Sequence, residues 1–232
     1  MNHPIMHDKM IAIVPVRSGS KGLPGKNTRK LAGLPLYQHA LQQGTRTVGQ
    51  ALLSTDIEGI DAADLPPGAR LVKRPSELAT DTTPMADVIR HLIETQALEP
   101  FTLVLLQATT PLRSDEDIAR AIELYQEGNY ELVMSVVEKD RSILKYGLLQ
   151  GDEFQPMREP EYCFQNRQQL PAVYAPNGAV YVFSARDFIE AGGFPSHRMG
   201  VVKMPADRSI DIDRESDFEL AEKALQKPKS KS

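Results

Sequence analysis

A chain of 232 residues, 41% of them hydrophobic, can bury the core of one substantial α/β domain and leaves little room for two independent ones. Its net charge of −4 excludes the global basic field that sequence-independent nucleic-acid binding uses, and its one cysteine, Cys163, excludes an intrachain disulfide framework and a multi-cysteine zinc site. No run approaches the roughly 20 apolar residues of a membrane span, and the polar stretch 1–9 lacks a signal-peptide core, so a soluble protein of a reducing cytoplasm, with no membrane or nucleic-acid partner, is expected.

Residues 10–16, Met-Ile-Ala-Ile-Val-Pro-Val, are apolar and β-branched in the manner of a strand buried on both faces. The loop that follows carries Gly19, Gly22 and Gly25 with Arg17, Lys21 and Lys26, so its backbone can approach a ligand while its cations offset phosphate charge. It is not a Walker A loop: Ser20 stands six residues before Lys26 where a Gly is needed, and Asn27 follows where Ser or Thr is needed. Nor is it a dinucleotide fingerprint, since the glycine spacing differs and Pro24 interrupts it. A nucleotide-binding loop is the reading preferred over an ordinary surface turn with solvated lysines.

A helix is expected over 36–44, a strand over 51–55 ending at Asp56, a short helix, and a strand near 69–72 that leads to Arg74. Thr83-Pro84 suggests a cap followed by proline in the first helical position, with Val88, Ile89, Leu92 and Ile93 at helical spacing. The run 101–106, Phe-Thr-Leu-Val-Leu-Leu, is the most strand-like and is placed at the centre of the sheet. Ser114 and Asp117 match a capping box ahead of a helix, 131–137 is a further strand, and 140–175, rich in Gln, Arg, Glu and Pro, is read as an inserted hairpin-like arm. Strands over 177–183 and 201–204 and a helix over 215–226 complete one domain over 1–226, with a frayed tail at 227–232. The alternation describes an α/β fold, a doubly wound and mainly parallel sheet whose ligands bind at the carboxyl ends of its strands.

Polar motifs fall at those ends. Asp211-Ile-Asp213 has the i,i+2 spacing that turns both carboxylates to one side of an extended chain. Such a pair suits Mg²⁺ bound together with substrate phosphates, while Asp213 as a cap of the last helix is the competing structural role. Gln107 and the hydroxyls of Thr109 and Thr110 follow the central strand, and Arg74 either reaches the crevice or is solvated.

Taken together, Arg17-x-x-Ser20-Lys21-Gly22 with Lys26-Asn27, Arg74-Pro-Ser-Glu-Leu-Ala, Leu105-Leu-Gln107-Ala-Thr-Thr-Pro-Leu-Arg113, Arg167-Gln-Gln-Leu-Pro171, Pro176-Asn-Gly-Ala-Val-Tyr181 and Ser209-Ile-Asp211-Ile-Asp213 resemble the acylneuraminate cytidylyltransferase family, the bacterial CMP-sialic acid synthetases. The resemblance runs from about residue 10 to 226. It implies a Rossmann-like, nucleotide-diphospho-sugar transferase fold, Mg²⁺-dependent transfer of CMP from CTP to a nine-carbon 2-keto sugar acid with release of pyrophosphate, and a homodimer built through the 140–175 arm. By the same resemblance Arg17, Ser20, Lys21, Gly22, Lys26, Asn27 and Arg74 would bind the nucleotide, Asp211 and Asp213 the metal, and Gln107, Lys145, Arg167, Tyr181 and Phe194 the sugar acid. Arg17, Lys21 and both aspartates would carry catalysis. Ala108, Thr110 and Pro195 depart from the sialic-acid pattern and leave legionaminic and pseudaminic acids open as substrates. The 167–171 motif argues against the eight-carbon acid Kdo, and the presence of both aspartates argues against a non-catalytic nucleotide-binding relative.

Overall fold

Eleven strands and five α-helices alternate along the chain in a computed structural model, which describes residues 9–20 and 22–226; the start of the chain, position 21 and the expected tail at 227–232 lie outside them. They are β1 (Met10–Pro15), β2 (Lys30–Leu31), β3 (Leu34–Pro35), α1 (Leu36–Val48), β4 (Ala51–Thr55), β5 (Ala69–Lys73), α2 (Met85–Thr95), β6 (Thr102–Leu105), α3 (Asp115–Gln126), β7 (Leu132–Lys139), β8 (Gly147–Gln150), β9 (Glu153–Pro156), β10 (Val173–Ser184), α4 (Ala185–Glu190), β11 (Met199–Met204) and α5 (Glu215–Gln226). Seven form one sheet in the order β11-β7-β10-β6-β1-β4-β5, with β6 in the middle as its apolar run foretells. Only β10 runs antiparallel to its neighbours.

Side-chain alternation explains why the sheet is covered on both faces. In β1, Ala12 and Val14 pack with Tyr37, Leu41, Ile118 and Tyr125 of α1 and α3, whereas Ile11 and Ile13 pack with Ile89, Leu92 and Phe188 of α2 and α4. A third cluster, Leu31, Leu36, Leu112, Ile212, Phe218 and Ala221, fastens α5 beneath the carboxyl edge of the sheet.

Several local expectations need correction. Helix α1 runs past Gly44 to Val48, because that glycine marks a close approach: a Cβ on it would stand 2.7 Å from the Ala12 Cβ. Thr83 does not cap α2; Pro84 occupies the cap position and the Thr83 hydroxyl is spent on Glu77 O at 3.3 Å. Strand β10 begins at Val173, inside the stretch assigned to the arm, because Val173, Tyr174 and Ala175 already pair with Lys139, Glu138 and Val137. What remains of the arm is the β8–β9 hairpin flanked by short 3₁₀ turns. The capping box of α3 is present in both directions, with Asp117 N donating to Ser114 Oγ at 3.2 Å and Ser114 N to Asp117 Oδ2 at 2.8 Å.

Candidate active site

The chain leaves β1 toward β4 and β5, then returns to place β6 on the other side of β1, which opens a crevice at the carboxyl ends of the strands. Arg17 follows β1, Asp56 follows β4, Arg74 follows β5, Gln107 follows β6 and Lys139 closes β7. Because β10 runs backwards, its first half, including Pro176 to Gly178, lies at this same edge.

The Gly-rich loop is pinned from inside. Lys26 is 7% exposed and donates from Nζ to Ile212 O at 2.6 Å and to Asp213 Oδ1 at 2.8 Å. Buried Asn27 donates from Nδ2 to Arg17 O at 2.8 Å, closing the loop on itself. Gly22 lies so close to the acidic segment that a Cβ on it would overlap Asp213 O. Arg17 pairs with Asp81 at 2.6 Å, while half-buried Ser20 leads to Lys21, which lies outside the described residues. Arg74 is buried and docked, which removes the solvated alternative: Nη2 donates to Ser54 O at 2.7 Å and Nε to Ser54 Oγ at 3.2 Å. Burial pushes its pKa down to about 10, the Asp56 carboxylate opposes that fall and the Arg17 charge adds to it.

Asp211 and Asp213 flank Ile212, which is fully buried in the α5 cluster and donates its N–H to Thr109 O at 2.8 Å. With Ile212 turned inward, both carboxylates face outward, as the i,i+2 spacing requires. Asp213 does not cap α5; the amides of Asp213 and Arg214 are taken by the Asp217 carboxylate at 3.1 and 2.9 Å. Asp211 keeps solvent at one side yet has enough protein around it that burial raises its pKa; a Thr109 hydrogen bond opposes the rise, Asp213 and Asp217 add to it and Lys26 opposes it. Two neighbouring carboxylates, one short of solvation, suit a hard divalent cation of the Mg²⁺ kind, which needs few protein ligands when phosphates supply the rest. Among the described residues no group of three or more His, Cys, Asp or Glu is placed to hold a metal.

Asp211 also lines a pocket of about 340 Å³ with Gln107, Tyr181, Lys139, Gly178 and Ser209. Its shape follows from a bulge in β10 between Pro176 and Tyr181, where Gly178 has φ +76° and stands against the Gln107 amide. Asn177 fixes the bulge: its Oδ1 accepts from Ser135 Oγ at 2.6 Å and its Nδ2 donates to Ser209 Oγ at 2.9 Å. Arg113, which sequence reasoning used only as part of a motif, holds the floor. It is 2% exposed, and its Nη1 donates to Gln107 O, Thr110 Oγ1 and Ala179 O at 2.8, 2.9 and 2.8 Å while Nε reaches Gln43 Oε1 at 3.0 Å. Burial pushes its pKa down to about 9, with Asp117 opposing. An arginine directly after Pro-Leu, too near the core for a solvated charge, was the available signal.

The structure does not bring the remaining candidates into this pocket. Lys145 donates to Gln165 O at 2.6 Å and Arg167 pairs with Asp140 at 3.2 Å, both along the arm. Phe194 touches the pocket only through Tyr181, at 5.8 Å between rings, and otherwise packs on Phe183 and Phe188.

A mainly parallel sheet wound on both faces, with a pinned Gly-rich loop opposite a carboxylate pair at its switch point, defines the class as a Rossmann-like nucleotidyltransferase. Solved structures agree on the fold: CMP:2-keto-3-deoxy-manno-octonic acid synthetase complexed with CTP superposes with a TM-score of 0.67 at 14% identity, covering 94% of this chain and 98% of that one. A 4-diphosphocytidyl-2C-methyl-D-erythritol synthase gives 0.63 at 15% identity, covering 94% and 99%. Within that class the chain belongs to the cytidylyltransferase family, whose model matches residues 11–227. It is 32% identical to the N-acylneuraminate cytidylyltransferase of Escherichia coli O18:K1:H7 over 93% of this chain and 52% of that protein. It is 33% identical to the CMP-N,N'-diacetyllegionaminic acid synthase of Legionella pneumophila over 94% of this chain and 97% of that protein. The chain therefore spans about half the length of several curated relatives and nearly all of another. Among the described residues no helix is long and apolar enough to cross a membrane.

Proposed function

We propose that this protein transfers CMP from CTP to the anomeric hydroxyl of a nine-carbon 2-keto sugar acid, N-acetylneuraminic acid or a relative such as legionaminic acid, and releases pyrophosphate. The observation that carries the proposal is the Lys26 bridge, which holds the Gly-rich loop against Asp213 while Asp211 opens into the pocket with Gln107 and Tyr181. In the reaction the anomeric oxygen forms a bond to the α-phosphorus, the bond from that phosphorus to the β-bridging oxygen breaks, and the hydroxyl proton is lost to solvent. Such a transfer asks the protein mainly for positioning and charge.

Arg17, Lys21, Ser20 and the loop backbone at Gly22 hold the triphosphate, Arg74 closes the nucleotide side, and Lys26 and Asn27 keep the loop in shape. Asp211 and Asp213 would hold Mg²⁺, which would offset phosphate charge and make the attacking hydroxyl easier to ionise. Gln107 and Tyr181 orient the sugar acid. Lys145 and Arg167, engaged along the arm of their own chain, act on the sugar acid in the partner's pocket of a homodimer. Exposed Leu148, Leu149 and Phe164, the last 90% exposed, support a partner over the arm.

Pyrophosphate release with CTP and Mg²⁺ is measured with N-acetylneuraminic, legionaminic, pseudaminic and Kdo acids in parallel. Release with a nine-carbon acid is expected, together with its loss in folded Asp211→Ala and Asp213→Ala variants. Silence with every acid, or undiminished turnover in both variants, refutes the proposal. Sedimentation of Phe164→Glu tests the arm: the variant is expected as a monomer and the parent as a dimer.

A further inference from the structure

We propose that Lys139 is a specificity-determining residue that anchors the carboxylate of the sugar acid from within the same protomer; the inference rests on the function proposed above. Lys139 is the last residue of β7 and the one cation among the residues lining the pocket. Its neighbours are occupied: Glu138 pairs with Arg141 at 3.2 Å and Asp140 with Arg167 at 3.2 Å. Strand alternation sends the Glu138 carboxylate away from the side that Lys139 faces, and Asp140, past the end of β7, accepts from Ser142 N at 2.9 Å. Lys139 itself is in no ion pair among the described residues, and the side chains that shift the Asp211 carboxyl are Thr109, Asp213, Lys26 and Asp217, not Lys139.

The pocket thus holds an ammonium with no pairing carboxylate among the described residues, and its other charged residue, Asp211, is taken by the metal in the function proposed above. A substrate carboxylate entering beside Asp211 needs an opposing cation. Lys145 and Arg167 of this chain point their charges into the arm and, in the function proposed above, serve only the pocket across the dimer, so Lys139 is the cation that the protomer itself offers at its own pocket. Sheet order and register supply the scale: β10 separates β7 from β6, two strand spacings or roughly 10 Å, and since Met134 and Leu105 both pair with Tyr181, Lys139 stands five residues past that level and Gln107, just beyond β6, two. That span lets the lysine hold the acid group while the amide holds the body of the sugar. A neutral sugar gains nothing from Lys139, so the residue selects acids.

The test compares the parent with Lys139→Gln and Lys139→Arg, in pyrophosphate release and in calorimetric titration with N-acetylneuraminic and N,N'-diacetyllegionaminic acids and their methyl esters. Lys139→Gln is expected to raise the KM and Kd for the acid about tenfold or more, the scale of one charge-assisted contact. The KM for CTP stays unchanged, Lys139→Arg recovers most of the loss, and the esters bind parent and variant alike. Equal acid affinity in parent and Lys139→Gln, or an equal loss for acid and ester, overturns the anchor. If the parent binds an acid but releases no pyrophosphate, transfer fails as the function while the Kd comparison still decides the role of Lys139; if it binds neither acid, the anchor is overturned as well.

Discussion

Replacing Gly178 by alanine is expected to separate backbone strain from displacement of Gln107. Gly178 has φ +76°, and the added Cβ would lie 2.5 Å from Gln107 Oε1. An unstrained contact needs about 3.5 Å, so the amide withdraws by about 1 Å. Misplacement on that scale costs up to about 100-fold in rate. The left-handed backbone adds about 1–2 kcal/mol for a residue with a side chain, worth roughly 2–4 °C in Tm per kcal/mol in a domain of this size. Gly192→Ala is the control: φ is +72°, but nothing lies within 4 Å of its built Cβ. Thermal melts and steady-state pyrophosphate release on both variants make the comparison. Similar falls in Tm are expected, with a loss of kcat/KM for the sugar acid in Gly178→Ala alone. Equal kcat/KM in the two variants refutes the argument that the bulge positions Gln107.

Asp211→Asn should melt higher than the parent at pH 7 while losing turnover. Burial raises the folded carboxyl above its ordinary 3.8, so the folded state binds the proton more tightly than the unfolded chain, and stability falls as pH rises from the unfolded value through the folded one. The advantage of the amide shrinks toward pH 4, and a lower Tm than the parent at pH 7 refutes this sign. Gly22→Ala should force the loop and the acidic segment apart, because the Cβ meets the Asp213 backbone rather than a movable side chain; a stability loss of about 1–3 kcal/mol and a sharp fall in turnover are expected, and a variant with native Tm and rate contradicts it. Arg113→Lys should cost about 2 kcal/mol or more in a denaturant titration, because an ammonium cannot reproduce the fork that serves Gln107 O, Ala179 O and Gln43. An unchanged midpoint would show that the fork is dispensable.

What was legible in the sequence was legible for local reasons. The run at β1 announces burial on both faces and that at β6 a central place, and the Ser114/Asp117 box and the span of α5 depend on a few adjacent residues. The direction of Asp211 and Asp213 followed from strand period alone. Long-range partners were not legible. Lys26 reads as a phosphate cation until residue 212 is seen behind it, and Arg113 reads only as the end of a motif until β10 supplies Ala179 O. Thr83 misleads for the same reason, since its hydroxyl finds Glu77 O across a turn before it finds the helix. Lys139 carried no motif, and its place in the pocket depends on the register of β7 with β10.

The Lys26 bridge also sets a schedule for biosynthesis. Its two acceptors lie 186 and 187 positions downstream, and the neighbouring Arg29 pair with Glu215 spans 186. At about 5–20 residues per second, a ribosome needs roughly 10–40 s to make that intervening chain. Throughout that interval the nascent Gly-rich loop lacks the carboxyl-terminal wall that shapes it. On the function proposed above, the order of translation therefore withholds the clasp of the triphosphate loop until residues 212 and 213 emerge.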